Sequence, residues 1–214
     1  MAGDAAVRRA GILRDGMWVT QWTNAMPGAH NALNAAAAVI LAHQLGTEWD
    51  AAADAASRFR GLDRRMECLG AKPLEQGEVI VYSDYGHHPT EIEKTLHALR
   101  AAEDPRRLIC VFQPHQHSRT RFLLDQFAES FSAADEVIVP EIYFVRDSEA
   151  EKKKVCAQDL VERLQERGVP ARHVADFADI VSILQADLQD EDLLVVMGAG
   201  PVWTIGRDFM DATT

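Results

Sequence analysis

The chain has 214 residues, a length that accommodates one domain with an appendage or two small ones. Its formal charge of −11 disfavours nonspecific nucleic-acid binding through a positive field, although "DRRME" and "HSRTR" concentrate arginine locally. Apolar residues at 47% permit a sizeable core, yet no run reaches membrane-spanning length.

Cys68, Cys110 and Cys156 are few and far apart, with no CxxC. Together with an N-terminus that lacks a signal-peptide pattern, this predicts a reducing, cytoplasmic setting. In chain order, "GMWVTQW" reads as a strand. "HNALNAAAAVILAHQLG" reads as a helix stopping at Gly46, and "EWDAAADAASRFRG" as one closed by Gly61. One strand and two helices are thin for an independent core. Residues 1–62 are therefore expected to be the tail of a preceding domain, and 63–214 a domain of their own.

From "EVIVYS" (78–83) onward the pattern alternates. Pro89 opens a helix to about Ala102, with proline suited to a first turn. "RLICVF" is strand-like, and "TRFLLDQFAESFSAAD" repeats its apolar residues with one helical period. "EVIVPEIY" is a strand, "AQDLVERLQERG" a helix, "VPARHVA" a short strand, "FADIVSILQADL" a helix and "DLLVVMGAG" a last buried strand. "EAEKKK" (149–154) reads as a solvated loop. Short β-rich runs between longer helical ones predict an α/β, Rossmann-like, mostly parallel sheet with flanking helices. Such sheets bind ligands beyond the carboxyl ends of their strands.

"DYGHHP", "QPHQHSRT", "EIY" and "GAG" all fall at such ends. The Asp84 carboxylate can accept hydrogen bonds from a ribose, Tyr85 can stack on a base, and His87 can bind an anion; the bland alternative is a histidine-rich turn. Arg119 suits a carboxylate because its fork makes two parallel hydrogen bonds, whereas Ser118 or Thr120 could simply cap the next helix. Arg121 reads as a surface residue.

His87, His88, His115 and His117 invite a metal reading, but each pair adjoins a helix opening rather than a carboxylate-rich loop. No metal site is expected. His30, Asn31 and Asn34 share one helical turn; the Asn31 and Asn34 amides can read an adenine edge, or Asn31 can merely cap the helix. The adjacent arginines Arg64 and Arg65 can hold phosphate or decorate the surface. "GAGPVWTIG" reads as a tight strand exit, and no G-x-x-x-x-G-K-[ST] loop is present.

Taken together and in order, "PGAHNALNAAAA", "FRGLDRRME", "DYGHHPTEI" with "TLHALR", "VFQPHQHSRT" and "MGAG" resemble the Mur ligases of peptidoglycan synthesis. Within that family the likeness is to the alanine-adding branch. The resemblance implies that 1–62 is the remnant of a central ATP-binding domain and that 63–214 is the C-terminal domain. It places the family's phosphate loop upstream of Met1, and most Mg²⁺ ligands with it. It implies ATP and Mg²⁺ as cofactors, and UDP-N-acetylmuramate, L-alanine and ATP as substrates joined through an acyl phosphate. Neither a nucleic acid nor a membrane is implied as partner, and the fragment alone is expected to be inactive.

By resemblance, His30, Asn31 and Asn34 read adenine, Arg65 reaches the ATP phosphates, Asp84 holds the ribose, and Tyr85 lies near the base. His87, Gln116 and Arg119 line the amino-acid pocket, with Arg65 and His87 as the catalytic pair. Gln116 stands where the family usually has arginine, and Ser83 where it commonly has an acid. The alternatives are a peptide-recycling muramate ligase of the same family, a histidine-based metal-dependent hydrolase, and a noncatalytic nucleotide-binding module.

Overall fold

The computed structural model describes residues 8–212, which divide into two compact units. One ends at Gly61 and takes in His97–Glu103; the other comprises Leu62–Leu96 and the chain from Asp104 onward.

The first unit begins with a hairpin. Strand β1 (Arg8–Arg14) pairs antiparallel with β2 (Met17–Asn24). Asp15 and Gly16 form the two-residue turn, both with positive φ (51° and 78°). That conformation matches the twist of a hairpin, and Asp-Gly is its sequence signal. Helices α1 (Ala29–Gln44) and α2 (Trp49–Arg58) follow. The second ends at Arg58, short of the expected Gly61. Trp22, Val39, Ala52 and Ala53 form the small core. Large apolar residues remain outside it, Leu45 at 81% exposure and Leu33 at 71%.

The second unit is built on a six-stranded sheet. Its strands are β3 (Glu67–Pro73), β4 (Glu78–Asp84), β5 (Arg107–Phe112), β6 (Glu136–Val139), β7 (Ala171–His173) and β8 (Asp192–Met197). Their spatial order is β3-β4-β8-β5-β6-β7, parallel except for β3 against β4. Helices α3 (Pro89–Glu103), α4 (His117–Phe122), α5 (Leu124–Glu129), α6 (Glu149–Lys152), α7 (Ala157–Glu166), α8 (Phe177–Asp187) and α9 (Trp203–Asp211) complete the unit, the last residues of α3 excepted.

Period-two alternation sorts the strand residues between the two faces. Val79, Val81, Ile109, Val111, Leu194 and Val196 pack with Ile180, Leu184, Ile205 and Phe209 of α8 and α9. On the other face Phe112 meets Phe127 of α5 and Phe131. Each such fully buried side chain contributes roughly 1.5–3 kcal/mol.

The local differences from the expectation have physical causes. Strand β6 stops at Val139 because Pro140 has no N–H to offer the ladder. The expected single helix over "TRFLLDQFAESFSAAD" breaks at Leu123 (φ −110°), which leaves Phe122 71% exposed and sends Phe127 inward. Ser148 accepts the Glu151 N–H and turns part of the charged loop into α6. Strand β3 and helix α9 escaped the sequence reading. The first carries a bulge between Cys68 and Gly70; in the second, Gly206 lets the helix lie close against Val196. Among the described residues, no helix is long and apolar enough to cross a membrane.

Candidate functional site

In register, Asp84 pairs with Met197, and Met197 pairs with Phe112. The carboxyl ends of β4, β8 and β5 therefore stop level, and the chain leaves all three at one rim. Strand β8 lies between β4 and β5, so its exit, Gly198 to Gly200, forms the floor of the site.

At the β4 exit Asp84 is only 5% exposed. Its Oδ2 accepts the Met66 N–H at 2.8 Å and its Oδ1 the Gly86 N–H at 2.7 Å. Burial pushes this carboxyl above the usual aspartate range, and the two backbone donors pull against it. A Cβ at Gly86 would lie 2.6 Å from Asp84 Oδ1, so this approach requires glycine. Tyr85 donates its N–H to the Arg64 carbonyl at 2.6 Å. Its ring has the Arg64 guanidinium at 4.8 Å and that of Arg65 at 5.1 Å.

Glu91 Oε2 accepts the His87 N–H at 2.9 Å and the His88 N–H at 3.2 Å, which anchors the first turn of α3. Glu91 also stands 3.9 Å from Arg65 and 3.6 Å from His87 Nδ1. That histidine nitrogen lies 3.1 Å from the Tyr85 carbonyl.

The β8 exit is held from two sides. The Gly198 N–H donates to the Asp84 carbonyl at 3.1 Å. Arg64 Nη2 donates to the carbonyls of Gly198 and Gly200, at 2.7 and 3.1 Å. Burial lowers the Arg64 pKa from its ordinary value.

At the β5 exit, His115 pairs in parallel with Tyr143. Tyr143 donates to the Pro114 carbonyl at 2.9 Å and accepts the Gln116 N–H at 3.1 Å. Gln116 has φ 69° and opens α4. Neither expected hydroxyl caps that helix: the Thr120 hydroxyl donates to the Gln116 carbonyl, and the Ser118 N–H goes to Asp147. Arg121 pairs with Glu151 at 3.0 Å.

These pieces close a circuit. The Tyr85 and His87 rings are 5.3 Å apart, those of His87 and His115 5.9 Å, and those of His115 and Tyr143 5.7 Å. A Cβ at Gly200 would touch Tyr143 at 3.0 Å, and the Gly200 carbonyl returns to Arg64.

Four buried atoms around the circuit lack a hydrogen-bond partner among the described residues: Arg64 Nε, Gln113 Oε1, His115 Nδ1 and Arg119 Nη1. An unmet buried polar atom costs about 1–3 kcal/mol, so each calls for a ligand or a water. Burial, then the neighbouring Arg119, His87 and Arg146, lower the His115 pKa below the ordinary imidazole value. An anion bound beside Arg119 would offset that positive field.

The structure thus brings Asp84, Tyr85, His87, Arg65, Gln116 and Arg119 to one rim. Arg65 is half-exposed, and Gln116 turns its amide toward the Arg146 carbonyl, a long contact of 3.5 Å. His30, Asn31 and Asn34 lie on α1 of the first unit. There Asn31 Nδ2 donates to the Pro27 carbonyl at 2.7 Å, Asn34 is exposed, and the His30 ring sits over Gly28.

Of the four strand-end histidines, His87 and His115 face each other. His117 packs on Phe144, and His88 is exposed and receives the Thr90 N–H. Among the described residues, no group of three or more His, Cys, Asp or Glu is placed to hold a metal. Sequence reasoning quoted the segments that hold Gln113, Glu91 and Tyr143 but assigned these residues no role, and weighed Arg64 only as half of an arginine pair. The strand-end "EIY" flagged the neighbourhood of Tyr143, but its pairing to His115 from another loop is invisible along the chain.

A cavity of about 710 Å³ lies at the opposite, amino-terminal ends of the strands, lined by Lys72, Arg106, Gln185 and Asp190 among others. Lys72 there donates to the Met210 carbonyl, and Arg106 pairs with Asp192, so these cations are already engaged.

Comparison with known proteins gives a consistent result. The family model "Mur ligase, glutamate ligase domain" matches residues 64–200. A UDP-N-acetylmuramate–L-alanine ligase of Caldanaerobacter subterraneus is 37% identical over 92% of this chain and 41% of its own length. One from Clostridium novyi is 39% identical over 87% of this chain and 39% of its own. The crystal structure of the UDP-N-acetylmuramate-alanine ligase of Thermotoga maritima superposes with a TM-score of 0.76 at 25% identity, over 96% of this chain and 42% of that one. The chain spans about two fifths of the length of these curated relatives. With its second unit carrying the family's domain across three level strand ends, the chain belongs to the Mur ligase family.

Proposed function

We propose that this chain is the amino-acid-presenting part of an ATP-dependent ligase that joins L-alanine to UDP-N-acetylmuramate. The observation that carries the reading is the juxtaposition of His87 and His115, at 5.9 Å, beside the unpartnered buried Nη1 of Arg119. A free guanidinium N–H beside a neutral imidazole suits an amino acid, whose carboxylate takes the fork while its amine faces the imidazoles. The alanine ligases among the relatives supply the substrate class.

In this reading Arg119 and His87 orient the amino acid, and Gln116 lines its pocket. Asp84 retains lone pairs toward a ribose, and Tyr85, whose ring already carries the guanidiniums of Arg64 and Arg65, lies near the base. Arg65, half-exposed and held only by a long 3.9 Å pair with Glu91 and by the Tyr85 ring, is the cation that reaches toward a phosphate. ATP supplies the phosphoryl group that activates the muramate carboxylate as an acyl phosphate. The residues of this chain hold and aim the attacking amine, which is an approximation effect. Among the described residues, no group of three or more His, Cys, Asp or Glu is placed to hold Mg²⁺.

The first unit, with Leu33, Leu41 and Leu45 exposed around a four-residue core, is the strip of a larger ATP-binding domain. The adenine-reading assignment of His30, Asn31 and Asn34 belongs to that unit. The test joins this chain to the amino-terminal part of the Clostridium novyi ligase and follows product formation from UDP-N-acetylmuramate, ATP and a panel of amino acids. Product that depends on L-alanine supports the reading, and a chimera indifferent to L-alanine overturns it.

A further inference from the structure

Resting on the amino-acid site proposed above, we infer that Arg146 is its second cationic arm, a specificity-determining residue for the carboxylate. Arg146 lies on the loop that follows β6, and that loop is stitched to the β5 exit on both sides of it. Before it, Tyr143 exchanges backbone hydrogen bonds with Pro114 and Gln116, at 2.9 and 3.1 Å. After it, Asp147 Oδ2 accepts the Ser118 N–H at 2.8 Å. The backbone that carries Arg146 is therefore held beside the β5 exit.

Its backbone is also left-handed, with φ 50°. Such a conformation is unfavourable for a side chain of this size and persists where the surroundings enforce it. The adjacent acid forms no ion pair with it: Asp147 accepts the N–H groups of Ser118 and Ser148. Arg146 forms no ion pair among the described residues, and its side chain is exposed.

The electrostatics point the same way. Beside the larger effect of burial, Arg119 on α4 and Arg146 on the loop after β6 are both close enough to depress the His115 pKa. A carboxylate seated against Arg119 Nη1 lies in the field of both. Gln116, between them, adds an amide but no charge.

Calorimetric titration of the 214-residue chain with L-alanine, and with L-alaninamide as the probe lacking a carboxylate, tests this. Arg146→Ala should weaken L-alanine about fivefold, the effect of losing about 1 kcal/mol from a charge-assisted contact, and leave L-alaninamide unchanged. Arg146→Glu should weaken L-alanine further, and a backbone amide fingerprint matching the parent establishes that both variants are folded. If Arg119→Ala abolishes L-alanine binding while both Arg146 variants retain it in full, the inference is overturned and the amino-acid site stands. If the parent chain binds L-alanine no better than its amide, the carboxylate site itself falls, and Arg146 with it.

Discussion

Arg64 ties the floor of the site to its wall, and truncating it separates the two. Its Nη2 serves the Gly198 and Gly200 carbonyls at 2.7 and 3.1 Å, and its guanidinium lies 4.8 Å from the Tyr85 ring centroid. Hydrogen bonds from a charged donor contribute roughly 1.5–3 kcal/mol each, and a partly exposed cation–π contact about 0.5–1 kcal/mol. Discounted for the partial exposure of the side chain, Arg64→Ala should cost about 3 kcal/mol. For a chain of this size each kcal/mol shifts Tm by roughly 2–4 °C, so the melting point should fall by about 6–12 °C. Arg64→Lys keeps the charge and one hydrogen bond but loses the fork, and should fall about half as far. Differential scanning calorimetry measures the shift, and hydrogen exchange at the Gly198 and Gly200 amides should quicken in step. An alanine variant melting within about 2 °C of the parent, with exchange unchanged, would refute the coupling.

Asp84→Ala strips the acceptor from two backbone N–H groups and should lower stability by about 2–4 kcal/mol in urea titrations. In the ligase chimera it should raise the ATP requirement more than the alanine requirement, as steady-state kinetics would reveal. At Gly200 an added Cβ would meet Gln113 Oε1 at 2.6 Å and Tyr143 at 3.0 Å. Gly200→Ala should therefore cost about 1–3 kcal/mol and shift the ring resonances of Tyr143 and His115 in NMR spectra. Asp192 gives the pH-dependent case. Burial pushes its carboxyl up, but the Arg107 fork, the Gln189 N–H and Arg106 outweigh that and hold its pKa below the usual aspartate value. Its stabilisation is thus present above the unfolded pKa of about 4 and is lost as pH falls through the lower folded value. Both arginines are at least a third exposed, so Asp192→Asn should cost only about 2 kcal/mol at pH 7. Thermal melts across pH should show that difference closing below about pH 4.

The parallel sheet was legible because its strands are buried on both faces. Such strands read as unbroken apolar runs, as "LICVF" and "LLVVM" do, and Pro89 marked a helix start that the structure places at that residue. Weakly signalled elements were not legible. Strand β3 is an antiparallel edge with a bulge, and its Gly70, Lys72 and Pro73 give no alternation. Helix α9 has Gly206 at its centre. The β1–β2 hairpin left a usable trace in Asp15-Gly16, which the reading passed over.

By itself, the order of residues determined which segments end in chemically capable loops, because local periodicity and turn chemistry act between near neighbours. Tertiary structure alone decided that β8, distant in sequence from both, slots between β4 and β5 and floors the site with its glycines. It also decided that Tyr143 and Arg146 arrive from another loop, and that Arg64 rather than Arg65 grips the β8 exit. Those choices depend on contacts between residues distant in sequence, set by burying both faces of one sheet at once, and no local pattern records them.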